Sequence, residues 1–197
     1  MVAVVILAAG RSSRMGTSKA LLRHPKTEST FVAHAIREAR IAGLEQVFIV
    51  GRISDEKLRS EVDSEGATFL INDDPDRGQL SSLIVGIDAA EAHGQVDAVL
   101  VVPVDVPLVS AKTIRTLLDR AATVDAAILR ATSNGVHGHP VLFKRAVFDE
   151  LRRADPSLGA RAVVRADPRR VENVEMGDDG VTIDVDFPED YARLFNR

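Results

Sequence analysis

Apolar runs and polar breaks alternate along this chain in an order that predicts strand, helix, strand. Val2–Leu7 is short, β-branched and uninterrupted, as expected of a strand buried on both faces. A helix is expected over 31–42, capped by Thr30 and ended by Gly43. Residues 46–50 read as a second buried strand stopped by Gly51, 55–62 as a short helix, and 67–71 as a third strand. The polar loop NDDPDRGQ then opens into a helix over 80–92. The strongest strand of the chain is 97–104, followed by a helix over 111–122 with Ser110 as its cap. Further strands are expected at 125–131 and 139–144, with helices at 146–154 and 159–166. Weaker strands are expected at 170–175 and 181–185, the acidic MGDDG segment reading as a hairpin-like connection, and a last helix starts at Pro188.

Continuously apolar strands alternating with helices predict an α/β fold. It is a mostly parallel sheet with helices on both sides, in a single three-layer α/β/α domain over residues 1–197. No linker, repeat or low-complexity tract divides the chain. Ligands of such sheets bind beyond the carboxyl ends of the strands. The polar loops after Leu7, Ile71 and Val104 leave strands at that edge, so the chemistry is expected there.

Composition narrows the function classes. The chain has no cysteine, which excludes a disulfide framework, a thiolate metal site and a cysteine nucleophile, and suits a cytoplasmic location. The net charge of −4 argues against a general nucleic-acid binder, and the absence of Trp argues against base-stacking platforms. No apolar run approaches the roughly 20 residues of a membrane span. No basic stretch precedes the first apolar run, so no signal peptide is expected.

The stretch LAAGRSSRMGTSK, residues 7–19, carries the most chemistry. It is not a Walker loop, because five residues separate Gly10 from Gly16 and Lys19 follows three later. The Rossmann G-x-G-x-x-G is absent too. What remains is a strand, a loop holding Gly10, Arg11 and Ser12, and the cations Arg14 and Lys19. Backbone N–H groups in such a loop cradle an anion, and the cations neutralise a triphosphate. A solvated basic loop is the alternative, but it does not account for two glycines and two serines crowded at a strand end. Arg23, His34 and His93 read as surface or packing residues.

L-A-A-G-x-S-x-R-M-G-x-x-K is also the signature of the MobA/MocA-like nucleotidyltransferases, which this chain resembles. Leu7, Ala8, Ala9, Gly10, Ser12, Arg14, Met15, Gly16 and Lys19 fill every fixed position. The resemblance implies a Rossmann-like fold of the nucleotide-diphospho-sugar transferase type. It also implies Mg²⁺-dependent transfer of a nucleotide from CTP or GTP to the phosphate of molybdopterin, with pyrophosphate leaving.

Further segments extend the resemblance. In NDDPDRGQLSSLIVGI, Asn72, Gly78, Ser81, Ser82, Leu83 and Gly86 match, and Asn72, Gly78, Gln79, Ser81 and Ser82 are expected to bind nucleotide. Helix capping by the serines is the plainer alternative. In VLVVPVDVPLVS the resemblance implies Asp105 as the Mg²⁺ ligand. A hard cation needs only one or two protein carboxylates when a triphosphate completes its shell. A turn cap is the alternative for Asp105. In VTIDVDFPEDY, Asp186 is the matching second carboxylate, with Asp184 as a substitute, and Asp186 also suits an N-cap. The GHPV segment offers His139, and LGARAVV offers Arg161, for the acceptor.

Ala9 and the GHPV segment match the cytidylyl branch, whereas Pro103 before Asp105 is nearer the guanylyl branch. The resemblance therefore points first to a molybdenum cofactor cytidylyltransferase, with a molybdoenzyme as possible recipient of the product. A GTP-dependent guanylyltransferase is the alternative, or a nucleotide-binding accessory or oxidoreductase serving a molybdoenzyme.

Overall fold

The structure, a computed structural model, describes residues 1–10 and 15–194. Seven strands form one sheet in the order β3-β2-β1-β4-β6-β5-β7. They are β1 (Val2–Leu7), β2 (Val47–Gly51), β3 (Thr68–Ile71), β4 (Ala98–Pro103), β5 (Ile128–Ser133), β6 (Val136–Lys144) and β7 (Val171–Glu175). All neighbours pair in parallel except β6, which is antiparallel to both β4 and β5. The chain runs outward from β1 to β3 and then returns to place β4 on the other side of β1. That reversal makes a crevice at the carboxyl ends of β1 and β4.

The helices are α1 (Phe31–Ile41), α2 (Glu56–Ser64), α3 (Gln79–Ala92), α4 (Ala111–Thr123), α5 (Phe148–Arg153), α6 (Arg161–Ala166) and α7 (Pro188–Leu194). β1 shows how an unbroken apolar run serves two cores. Val4 and Ile6 pack with Ile36 of α1, Leu58 of α2 and Ile114 of α4. Ala3, Val5 and Leu7 face the other layer, with Leu83 and Ile87 of α3 and Leu151 of α5. A Cβ at Gly86 would overlap the Val5 side chain, so α3 lies directly on β1. That glycine serves packing. Thr30 caps α1 through Ala33 N–H at 3.2 Å, and Ser110 caps α4 through Thr113 N–H at 3.2 Å, as expected.

Two expectations need correction. Residues 181–185 are not a strand, and MGDDG is not a hairpin connection. Instead a 3₁₀ turn spans Asp179–Thr182, with the Asp178 carboxylate accepting from Gly180 N–H at 2.9 Å. The segment packs against the β5–β6 hairpin, where the Val181 carbonyl rests in the space a Cβ of Gly138 would take. The second correction concerns β6, which begins at Val136. Asn134 and Gly135, both with positive φ (50° and 76°), turn β5 directly into it. This is the two-residue hairpin turn that Asn-Gly favours, and it makes β6 antiparallel. Among the described residues no helix is long and apolar enough to cross a membrane.

Candidate active site

A cavity of about 400 Å³ opens at the crevice between β1 and β4. One wall is the loop after β1, with Leu7, Ala8, Ala9 and Gly10. Ladder bonds carry on past the strand: Ala8 N–H donates to the Val50 carbonyl at 2.9 Å and Val104 N–H to the Leu7 carbonyl at 3.0 Å. The loop is thus held from both neighbouring strands. Arg11, Ser12 and Arg14 lie outside the described residues.

On the β4 side stand Lys19, Asp105 and Asp186. Lys19 begins the 3₁₀ turn Lys19–Leu21, Asp105 follows β4, and Asp186 precedes α7. The main chain brings the last two together, since Val185 N–H donates to the Asp105 carbonyl at 2.8 Å. Lys19 Nζ donates to Asp186 Oδ1 at 2.6 Å and to Asp105 Oδ2 at 3.2 Å. Burial opposes the Lys19 charge, but the bonds and charges of Asp186 and Asp105 outweigh it and hold the ammonium above its ordinary pKa. Asp186 is not spent as a cap. The Asp190 carboxylate accepts from the N–H groups of Asp186 and Phe187, at 3.2 and 2.9 Å, which leaves the Asp186 carboxylate to Lys19.

These residues suit a divalent cation. Two carboxylates already converge on one ammonium, and the trio carries a net negative charge. The nearby Asp184 carboxyl is pushed above its ordinary range, first by partial burial and then by the charges of Asp105 and Asp186. No group of three or more His, Asp or Glu residues able to hold a metal occurs among the described residues. Two hard oxygen donors fit a cation that takes most of its shell from phosphates and water.

On the other side the cavity is walled by Arg52, Pro75, Asp76, Gly78, Gln79 and Ser82. Gly78, with φ +88°, is the N-cap of α3, and among the described residues no side chain caps the helix's first N–H groups. Ser81 Oγ instead donates to the carbonyls of Gly78 and Asp74, so the serines do not cap the helix. The amino end of α3 thereby keeps its partial positive charge at the cavity wall. Asn72 is buried behind that wall. Its Nδ2 donates to Ser81 Oγ and Ser82 Oγ at 2.8 and 2.9 Å, and its Oδ1 accepts from Asp74 N–H at 3.0 Å. Asn72 and Ser81 therefore shape the loop, while Gly78, Gln79 and Ser82 face the cavity.

His139 and Arg161 are not among the residues lining this cavity, but the His139 ring lies within electrostatic reach of both Asp105 and Arg161. Burial pushes the His139 imidazole down to about 4, with Asp105 opposing and Arg161 reinforcing the shift. Its buried Nδ1 has no hydrogen-bond partner among the described residues. The His139 ring thus stays neutral between the opposing influences of Asp105 and the exposed Arg161. His34 is half-buried and stacks on buried His24 with ring centroids 3.9 Å apart. His24 Nε2 in turn bonds the Pro107 carbonyl in the Asp105 loop at 3.1 Å.

Sequence reasoning missed Arg52. Its Nε donates to the Ala9 carbonyl at 2.7 Å, and its Nη2 reaches Asp76 Oδ1 at 3.3 Å. The one available signal was a long cation placed directly after a buried strand, at the edge where ligands bind.

Residues 4–173 match the MobA-like NTP transferase domain. The chain is 33% identical over 115 residues, 58% of its length, to the probable molybdenum cofactor guanylyltransferase of Rhodopirellula baltica. It spans about half of that relative, 53%, and 29% of the bifunctional protein GlmU of Stutzerimonas stutzeri. It is 28% identical to nicotine blue oxidoreductase of Paenarthrobacter nicotinovorans, over 96% of this chain and 94% of that one. Among solved structures, Rv0371c of Mycobacterium tuberculosis superposes with a TM-score of 0.82 at 30% identity, covering 100% of this chain and 97% of the other. A manganese complex of Rv0371c superposes with a TM-score of 0.77 at 27% identity, covering 99% and 98% of the two chains. By its fold, by the crevice at β1 and β4 and by a match over most of its length, the chain belongs to the MobA-like NTP transferase domain family.

Proposed function

We propose that the chain is a divalent-metal-dependent cytidylyltransferase, moving CMP from CTP onto the phosphate of molybdopterin with release of pyrophosphate. The observation that carries this reading is the convergence of Asp105 and Asp186 on Lys19, facing the open amino end of α3 across one cavity. Asp105 and Asp186 would hold Mg²⁺. The manganese complex of a relative with 27% identity supports a divalent ion. When bound, such a cation supplies Lewis acidity and charge neutralisation at the phosphates.

The chain's own residues do the rest. Lys19, with the signature's Arg14, balances the charge that builds on the departing pyrophosphate. Gly78, Gln79 and Ser82, with the 7–10 loop, receive the nucleoside. Arg161 attracts the acceptor phosphate on the side where neutral His139 offers a ring nitrogen. An acceptor oxygen attacks the α-phosphorus, the bond to the β-phosphate oxygen breaks, and pyrophosphate leaves. No enzyme-bound intermediate is needed, so catalysis consists of positioning and charge.

Cytosine rests on Ala9 and the GHPV segment, and the guanylyltransferase relative keeps GTP as the alternative. A second reading, an oxidoreductase, is favoured by the end-to-end match to nicotine blue oxidoreductase. Pyrophosphate release from CTP or GTP, with molybdopterin and Mg²⁺, tests the proposal against NADH oxidation by the same preparation. Release selective for CTP supports it, and release selective for GTP moves the base. NADH turnover without pyrophosphate release would overturn nucleotidyl transfer.

A further inference from the structure

The two loops that wall the nucleoside side of the cavity leave β1 and β3, which are not neighbours. β2 lies between them. A direct brace between those loops must therefore come from the carboxyl end of β2, and Arg52 stands there. Its backbone is fixed by a reciprocal turn: Arg52 N–H donates to Asp55 Oδ2 at 2.9 Å, and Asp55 N–H to the Arg52 carbonyl at 3.1 Å. From that base the side chain spans the gap, with Nε on the Ala9 carbonyl and Nη2 on Asp76.

Two physical points separate a positioning role from a merely stabilising one. Asp76 is more than half exposed, and a surface ion pair of this kind contributes little to stability. The bond to Ala9 acts on geometry instead. The peptide unit is planar and trans, so turning the Ala9 carbonyl toward Arg52 points the Gly10 N–H the opposite way. Arg52 thereby sets the orientation of the loop that the nucleoside must meet.

We infer that Arg52 is the positioning residue of the nucleoside end. It holds the 7–10 loop and the 75–78 loop at the separation a nucleobase enters. This rests on the nucleotide reading above. A lysine cannot replace it, because an ammonium is a point charge without the planar fork that reaches two acceptors in different directions.

Calorimetric titration of CTP, GTP and pyrophosphate with Mg²⁺ into wild type, Arg52→Lys and Arg52→Met tests the inference. Both variants are expected to lose about tenfold in affinity for the triphosphate that wild type binds, the scale of a charge-assisted hydrogen bond. Their pyrophosphate affinity should stay within about twofold, and the unliganded melting temperature within about 2 °C. Variants that bind the nucleoside triphosphate as wild type does would overturn the inference. So would equal losses for pyrophosphate, or a large fall in melting temperature. Wild type that binds pyrophosphate but neither nucleotide would overturn the nucleotide reading itself, and the role of Arg52 with it.

Discussion

The β2–β3 side and the β4 side of one cavity are built by opposite means. On the first side, main chain and short polar groups are locked to each other. Asn72 holds Ser81 and Ser82, Gly78 leaves the end of α3 open, and Arg52 braces two loops. On the second side, charged side chains converge from distant parts of the chain: Lys19, Asp105 and Asp186. A shape made of satisfied backbone discriminates between ligands of similar charge. A cluster of carboxylates and an ammonium responds to charge itself, as phosphate chemistry requires. Substitutions on the two sides should therefore fail differently.

The largest effect is expected on the charged side. Asp105→Ala should lower turnover by about a thousandfold, since metal-held charge at a reacting phosphate is worth several kcal/mol. The fold should persist, because Val185 is tied to the Asp105 main-chain carbonyl rather than to its carboxylate. Turnover and melting curves of the variant check both halves of that statement, and unchanged turnover would remove Asp105 from the metal site.

A smaller and more selective effect is expected at the outer edge. Arg161→Ala should raise the KM for the phosphorylated acceptor about tenfold, the loss of one charge-assisted contact, while leaving nucleotide affinity as it was. Steady-state kinetics with the acceptor varied against saturating nucleotide separates the two constants. A rise in nucleotide KM instead would put Arg161 on the wrong side of the comparison.

The smallest effect concerns stability behind the site. Burial, then the charges of His24 and Arg37, push the His34 imidazole down to about 4. Its folded pKa is thus below its unfolded value, so the unfolded chain takes up the proton first. Stability supported by neutral His34 is complete above about pH 6.5 and is lost as pH falls from there toward about 4. Denaturant melts across that range should show about one proton less taken up on unfolding in His34→Gln than in wild type. Identical slopes would mean that the stacked pair titrates freely.

The same contrast governs what could be read in the sequence. β1, β2 and β4 are unbroken apolar runs, and the loop after β1 was legible because two glycines and three cations crowd the end of a buried strand. The sequence placed Gly78, Gln79 and Ser82 at the ligand edge of the sheet, and there they line the cavity. That Asn72 spends its amide on Ser81 and Ser82 was not, because mutual satisfaction of polar groups is a tertiary fact. Arg52 was missed for the same reason, since its meaning depends on β2 lying between β1 and β3. The second half of the chain misled in two ways. Asn134-Gly135 is a short-range hairpin signal that was overlooked, and with it the antiparallel direction of β6. Residues 181–185 alternate like a strand, but the close approach of Val181 to Gly138 carries them past the β5–β6 hairpin toward Asp105. Asp186 was legible through its family resemblance, whereas its freedom from capping needed the bonds of Asp190.

The most direct test of a two-sided nucleotide cavity is a titration of CTP into the wild-type protein with and without Mg²⁺, set against Mg²⁺ with pyrophosphate alone. A two-sided cavity should bind CTP tightly only with the metal, and more tightly than pyrophosphate, because both of its sides are then engaged. Equal binding with and without Mg²⁺, or no advantage of CTP and GTP over pyrophosphate, would contradict it.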